Sequence, residues 1–115
     1  MPTLEEVTKK LLAFRAERDW EKFHNPKDMA ISLALEAAEV LEHFQWKNCE
    51  EVKQYAESNK QALGEELADV FNWVLLLSYD LKIDLLKASA DKIKKNQEKY
   101  PVEKAKGQAT KYIDL

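Results

Sequence analysis

The sequence predicts an all-α fold, an antiparallel four-helix bundle assembled as a homo-oligomer, on three observations. Ala, Leu, Glu and Lys dominate, whereas two glycines and three prolines are too few for the turns of an all-β chain. Apolar residues recur at helical period along most of the sequence. Capping residues punctuate it so that only short connections are left between helices, as in a bundle.

Each element follows from its own signals. Thr3 and Glu6 have capping-box spacing and open a first helix that runs to about Arg18, with Leu4, Val7, Leu11, Leu12 and Phe14 mostly in helical period. After the turn DWEKFHNP, Asn25 is a good N-cap and Pro26 a good first residue for a second helix reaching about Trp46. Asn48 with Glu51 starts a short helix over 49–57. Ser58 with Gln61 has the same spacing and leads into a long helix from about Asn59 to Asp80. Asp84 caps a last helix that stops before Pro101, because the residue preceding proline is disfavoured in helical geometry. Residues 100–115 read as an extended tail. The second and the long helix have wide apolar arcs for so small a bundle, which predicts burial between subunits.

A length of 115 residues suits one domain with a modest core, and 45% hydrophobic with 34% charged residues is ordinary globular composition. The net charge of −3 argues against a surface for duplex nucleic acid. From Lys92 onward, seven lysines against three acids leave room for a local anion-facing patch. The lone Cys49 excludes an internal disulfide and suits a reducing compartment. MPTLEEVTKK has no apolar stretch of the signal-peptide kind, and no run approaches a membrane-spanning length. A cytoplasmic location without membrane attachment is expected.

The chemistry concentrates in two segments, LALEAAEVLEHFQW and EELADVFNW. Glu36 and Glu39 lie about 60° apart on one helical stripe that His43 and Trp46 continue. Glu66 and Asp69 repeat the pattern on the long helix, and Trp73 follows them. Four carboxylates converging from apolar helices repel one another unless a cation lies among them. Their oxygen-only donor set suits a hard divalent ion such as Mg²⁺ or Mn²⁺, which takes further ligands from substrate phosphates. On the last helix Lys92, Asn96 and Lys99 fall within about 60° of one another, a suitable face for phosphate.

Plainer readings stand beside these. A single E-x-x-E is common on exposed helix faces. Trp20, Phe23, Trp46 and Trp73 read individually as core or interface packing, His43 as a packing residue, and Lys92 and Lys99 as a solvated face. A non-catalytic helical interaction module would carry the acids merely as surface charge. A carboxylate-bridged di-iron bundle is the remaining alternative, but it typically uses Glu-x-x-His. Here His43 is four residues after Glu39, and the long helix has no histidine.

Taken together, E36-A-A-E39 and E66-L-A-D69 resemble the E-x-x-E…E-x-x-D signature of the MazG-like nucleotide pyrophosphohydrolases, an all-α superfamily. ERDWEKFHNPKD, FQW, KNQEKYPVEKAKG and the terminal KYIDL extend the resemblance to the single-domain dCTP pyrophosphatase-like branch, over nearly the whole chain. The resemblance implies hydrolysis of the α–β phosphoanhydride of a (deoxy)nucleoside triphosphate to the monophosphate and pyrophosphate. It further implies that Glu36, Glu39, Glu66 and Asp69 are Mg²⁺ ligands, and that Lys92 and Asn96, with Lys99 and Tyr100, contact phosphates. Trp20, Trp46 and Trp73 match aromatics of the base pocket, with His24 near it. Eukaryotic members of the branch carry Tyr at the position of Trp73 and a longer loop before the long helix, so base preference stays open. Dimeric or tetrameric assembly is implied as well.

Overall fold

The computed structural model describes residues 1–114. Six α-helices follow in order: α1 (Leu4–Glu17), α2 (Pro26–Glu42), α3 (Cys49–Ser58), α4 (Lys60–Asp80), α5 (Leu85–Lys99) and α6 (Val102–Ala105). Two 3₁₀ turns, Glu21–Phe23 and Tyr112–Asp114, complete the regular structure, and no strand occurs among the described residues. The chain is all-α. It forms two compact units, one through Lys82 and one from Ile83 onward.

Side-chain caps set most helix starts. The Thr3 hydroxyl accepts from Glu6 N at 3.1 Å, Asn25 Oδ1 from Asp28 N at 2.9 Å and Asp84 Oδ1 from Lys87 N at 3.1 Å. Asn48 and Glu51 form the full reciprocal capping box. The start of α4 differs from the Ser58 cap expected from spacing. Asn59 both ends α3 and starts α4, and its Nδ2 donates back to Tyr55 O at 3.0 Å, so its side chain serves the preceding helix.

Helix exits use left-handed residues at Asp19, Trp46 and Lys82, with φ of 54°, 68° and 58°. Glycine usually fills such positions. The exit at Trp46 shortens α2 relative to the sequence expectation. The apolar period continues to Trp46, but the backbone does not: Phe44 N bonds Leu41 O at 2.9 Å and Gln45 N bonds Glu42 O at 3.3 Å. These three-residue spacings tighten the chain into a turn after Glu42. The tail also departs from an extended strap. Pro101 O accepts from Lys104 N and Ala105 N, closing the single turn of α6, and Gly107 (φ 78°) follows it.

In the first unit α4 is the hub, packed most extensively on α2 and also on α1 and α3. Met29, Leu75 and Leu76 are buried, and Ser78 among them is satisfied by Val74 O and Leu75 O at 2.8 and 3.1 Å. Many apolar side chains stay wet: Ile31, Leu35 and Leu41 on α2, and Leu67 and Phe71 on α4, are 45–69% exposed. In the second unit Tyr100 meets Tyr112 edge-on at 6.1 Å, and the Lys99 ammonium lies 4.7 Å from the Tyr112 ring centre. No described helix is long and apolar enough to cross a membrane.

Candidate active site

The α2–α4 contact brings the four acids together. One carboxylate oxygen from each of Glu36, Glu39, Glu66 and Asp69 lies within 4.8 Å of the others. Each pair is spaced by three residues, one helical turn, so both members project from the same stripe. Glu36 and Glu66 are half-buried, and Glu39 and Asp69 are exposed. Burial pushes the Glu36 carboxyl above its usual range, helped by the neighbouring Glu39 carboxyl and by the charges of Asp69 and Glu66. Glu66 is also raised, first by the neighbouring Glu39 carboxyl and then by desolvation, while His43 pulls it partly back.

Oε2 of Glu36 and Oε2 of Glu66 are buried and have no hydrogen-bond partner. Buried polar atoms are almost always paired. Two unpaired acceptors inside a ring of four acids form an arrangement that lacks positive charge. The donor set is all oxygen, so it fits a hard divalent cation. His43 sits beside the cluster, with Nε2 3.6 Å from Glu66 Oε1.

A cleft of about 640 Å³ opens next to the acids and shares Asp69 with them. Trp20, His24 and Trp73 line it, which brings three residues from the sequence reading into one cavity. The His24 and Trp73 rings are 5.2 Å apart, and Phe14 meets Trp20 edge-on at 5.6 Å. His24 Nδ1 faces Arg15 Nη1 at 3.5 Å; burial and that positive charge lower the imidazole pKa. The cleft is thus aromatic at its walls, with carboxylate chemistry at one edge.

Trp46 is 91% exposed in its left-handed turn and is not part of the cleft lining. Lys92 and Asn96 are exposed on α5, Lys99 is half-buried against Tyr112, and Tyr100 is exposed. Conversely, Lys10, Arg15 and Asn72 line the cleft although the sequence reading did not select them. Asn72 had a local signal, since it lies three residues after Asp69 on the acid stripe. Arg15 had none, because its partner is Asp80 on α4.

Residues 31–115, which hold both acid pairs, match the MazG-like family. The chain belongs to the MazG-like family. It is 40% identical over 116 residues to dCTP pyrophosphatase 1 of Bos taurus, covering 99% of this chain and 69% of the relative. Identity to dCTP pyrophosphatase 1 of Homo sapiens is 36%, covering 99% and 68%. Among solved structures, a pyrophosphatase from Archaeoglobus fulgidus superposes with a TM-score of 0.82 at 38% identity, covering 88% of this chain and 94% of that one. The acid cluster of this MazG-like chain therefore lies in the context of nucleotide pyrophosphohydrolases.

Proposed function

We propose that the chain, a nucleotide pyrophosphohydrolase of the MazG-like family, uses Mg²⁺ to convert a deoxynucleoside triphosphate to its monophosphate and pyrophosphate. The convergence of four carboxylates within 4.8 Å, beside an aromatic cleft that shares Asp69, carries this reading. Relatives named dCTP pyrophosphatase support dCTP, or a related or modified deoxynucleotide, as the substrate. Clearance of such nucleotides from the pool is the role proposed, in the cytoplasm, with Mn²⁺ as a substitute ion.

Glu36, Glu39, Glu66 and Asp69 would hold the metal. When bound, a divalent ion supplies positive charge to the triphosphate and acidifies water. A carboxylate oxygen not engaged with metal would orient the water, whose oxygen bonds to a phosphorus of the α–β phosphoanhydride as that bridge breaks, giving the monophosphate and pyrophosphate. Trp20 and Trp73 offer flat faces to the base, which is stacking without base preference. His24 and Asn72 supply polar edges in the same cleft. Trp46 is assigned to the base, and Lys92, Asn96, Lys99 and Tyr100 to phosphate, on the resemblance of their motifs.

Relatives align along 99% of the chain, which supports one MazG-like domain over 1–115. The contact of His43, at the end of α2, with Glu66, in the first half of α4, supports an antiparallel α2–α4 pair. The exposed apolar stripes of α2 and α4 support a homodimer or homotetramer, with Leu35→Glu or Leu67→Glu expected to lower the mass seen by sedimentation.

Incubation with each deoxynucleoside triphosphate and Mg²⁺ is expected to release pyrophosphate, and Glu39→Gln to abolish the release. Orthophosphate as product, or equal turnover without metal, overturns the reading. A melting temperature indifferent to Mg²⁺ plus nucleotide, together with no turnover, would instead favour a helical interaction module.

A further inference from the structure

At the end of α2 a second polar system touches the acid cluster from outside. His43 lies between α3 and α4, with Nδ1 2.6 Å from the Tyr55 hydroxyl and Nε2 3.6 Å from Glu66 Oε1. The side chains of His43 and Glu66 are 18% and 26% exposed, so both interactions are shielded from bulk water. Tyr55 is itself held from several directions: Phe44 meets it edge-on at 6.3 Å, and the Lys47 ammonium lies 4.5 Å from its ring centre.

The Glu66 carboxylate can only accept, so the tautomer that serves both neighbours accepts the Tyr55 O–H at Nδ1 and carries N–H at Nε2, toward Glu66 Oε1. At 3.6 Å this is longer than a hydrogen bond but within electrostatic reach. Glu66 is then attracted through one oxygen, while Oε2, buried and unpaired, is left for the interior of the acid ring.

We propose that His43, oriented by Tyr55, is a positioning residue that fixes Glu66 for capture of the divalent cation. This rests on the reading of the four acids as a cation site. Partners of this kind set the orientation of a ligand without touching the metal, and their loss typically weakens metal affinity about 10–100-fold. The arrangement also gives α3 a purpose beyond connecting α2 to α4, since it delivers the Tyr55 hydroxyl.

Binding of Mn²⁺ to the metal-free protein, followed by the electron paramagnetic resonance signal of the free ion, tests this without turnover. His43→Leu is expected to raise the Mn²⁺ dissociation constant 10–100-fold. Tyr55→Phe, which keeps the ring packing, is expected to raise it by a smaller factor. His43→Gln, with an amide donor, is expected to recover part of the loss. A merely structural role would lower the melting temperature and leave all three dissociation constants at the wild-type value, which overturns the proposal. Should His43→Leu fail to fold, Tyr55→Phe decides alone. Wild-type protein that binds no Mn²⁺ overturns the cation site itself, a result distinct from wild-type binding with unaffected variants.

Discussion

Arg15 and Asp80 are joined by two hydrogen bonds of 2.8 and 3.0 Å across 65 positions of sequence. The Arg15 side chain is 8% exposed and that of Asp80 26%, and the pairing raises the guanidinium pKa further. The pair ties α1 to the end of α4, and the same guanidinium reaches His24 in the cleft.

Asp80→Ala leaves a buried guanidinium whose Nε already lacks a partner. Breaking a buried pair costs about 3–5 kcal/mol, and the partial exposure of Asp80 places the loss near 3 kcal/mol. Urea unfolding monitored by circular dichroism measures it. Arg15→Met, which keeps the apolar stem and removes the buried charge, is expected to cost less.

His24 is expected to be neutral at pH 7, because burial and then Arg15 lower its pKa. Its ring ¹⁵N shifts should show the neutral form persisting below the pH at which an ordinary histidine protonates. In Arg15→Met the titration is expected to move upward, since the repelling charge is gone and Asp80 is left unpaired.

The acids predict an inverted pH response in metal-free protein. Glu36 and Glu66 both have raised pKa values, so the folded state binds their protons more tightly than the unfolded chain does. Their stabilising contribution is complete below the ordinary carboxylate pKa and is lost as pH rises through the raised values. Acidification from neutrality toward that window is therefore expected to raise the melting temperature before general acid unfolding begins. If the acids hold the ion as proposed, saturating Mg²⁺ should remove or reverse the slope, because cation and protons then compete for the same oxygens. Calorimetry at successive pH values, with and without Mg²⁺, compares the two slopes.

Trp46→Gly is expected to separate stability from substrate affinity. A left-handed φ of 68° is unfavourable for tryptophan, and its 91% exposed side chain has little packing to lose. Stability should rise by about 0.5–1 kcal/mol. If Trp46 stacks on the base, KM should increase about tenfold, as loss of one stacking contact implies. Chemical unfolding and steady-state kinetics on one variant give both values.

Most helix starts and the acid pairs were legible in the sequence because their signals are local. Asn25, Asn48 and Asp84 cap the helices that follow them, and the two acid pairs face each other as their three-residue spacing on apolar helices suggested. Where reading failed, the decisive interaction was either backbone or long-range. Hydrophobic period cannot report that α2 gives way to a tighter turn at His43, nor that Asn59 bonds backward to Tyr55. Pro101 was read only as a stop, although its carbonyl also closes α6. Arg15 has no local pattern that names Asp80, and the Tyr55–His43 contact depends on how α3 packs against the end of α2.

The two unpaired carboxylate oxygens also bear on how variants of this protein should be selected. In the absence of divalent ions, replacing Glu36 or Glu66 with a neutral or apolar residue removes like-charge repulsion and a solvation penalty. On the proposed reading of these acids as the metal site, a heat-resistance screen run in chelating buffer would enrich proteins that have lost activity. The same screen with Mg²⁺ present would then protect the site, so buffer composition alone would decide whether thermostability and chemistry are selected together or against each other.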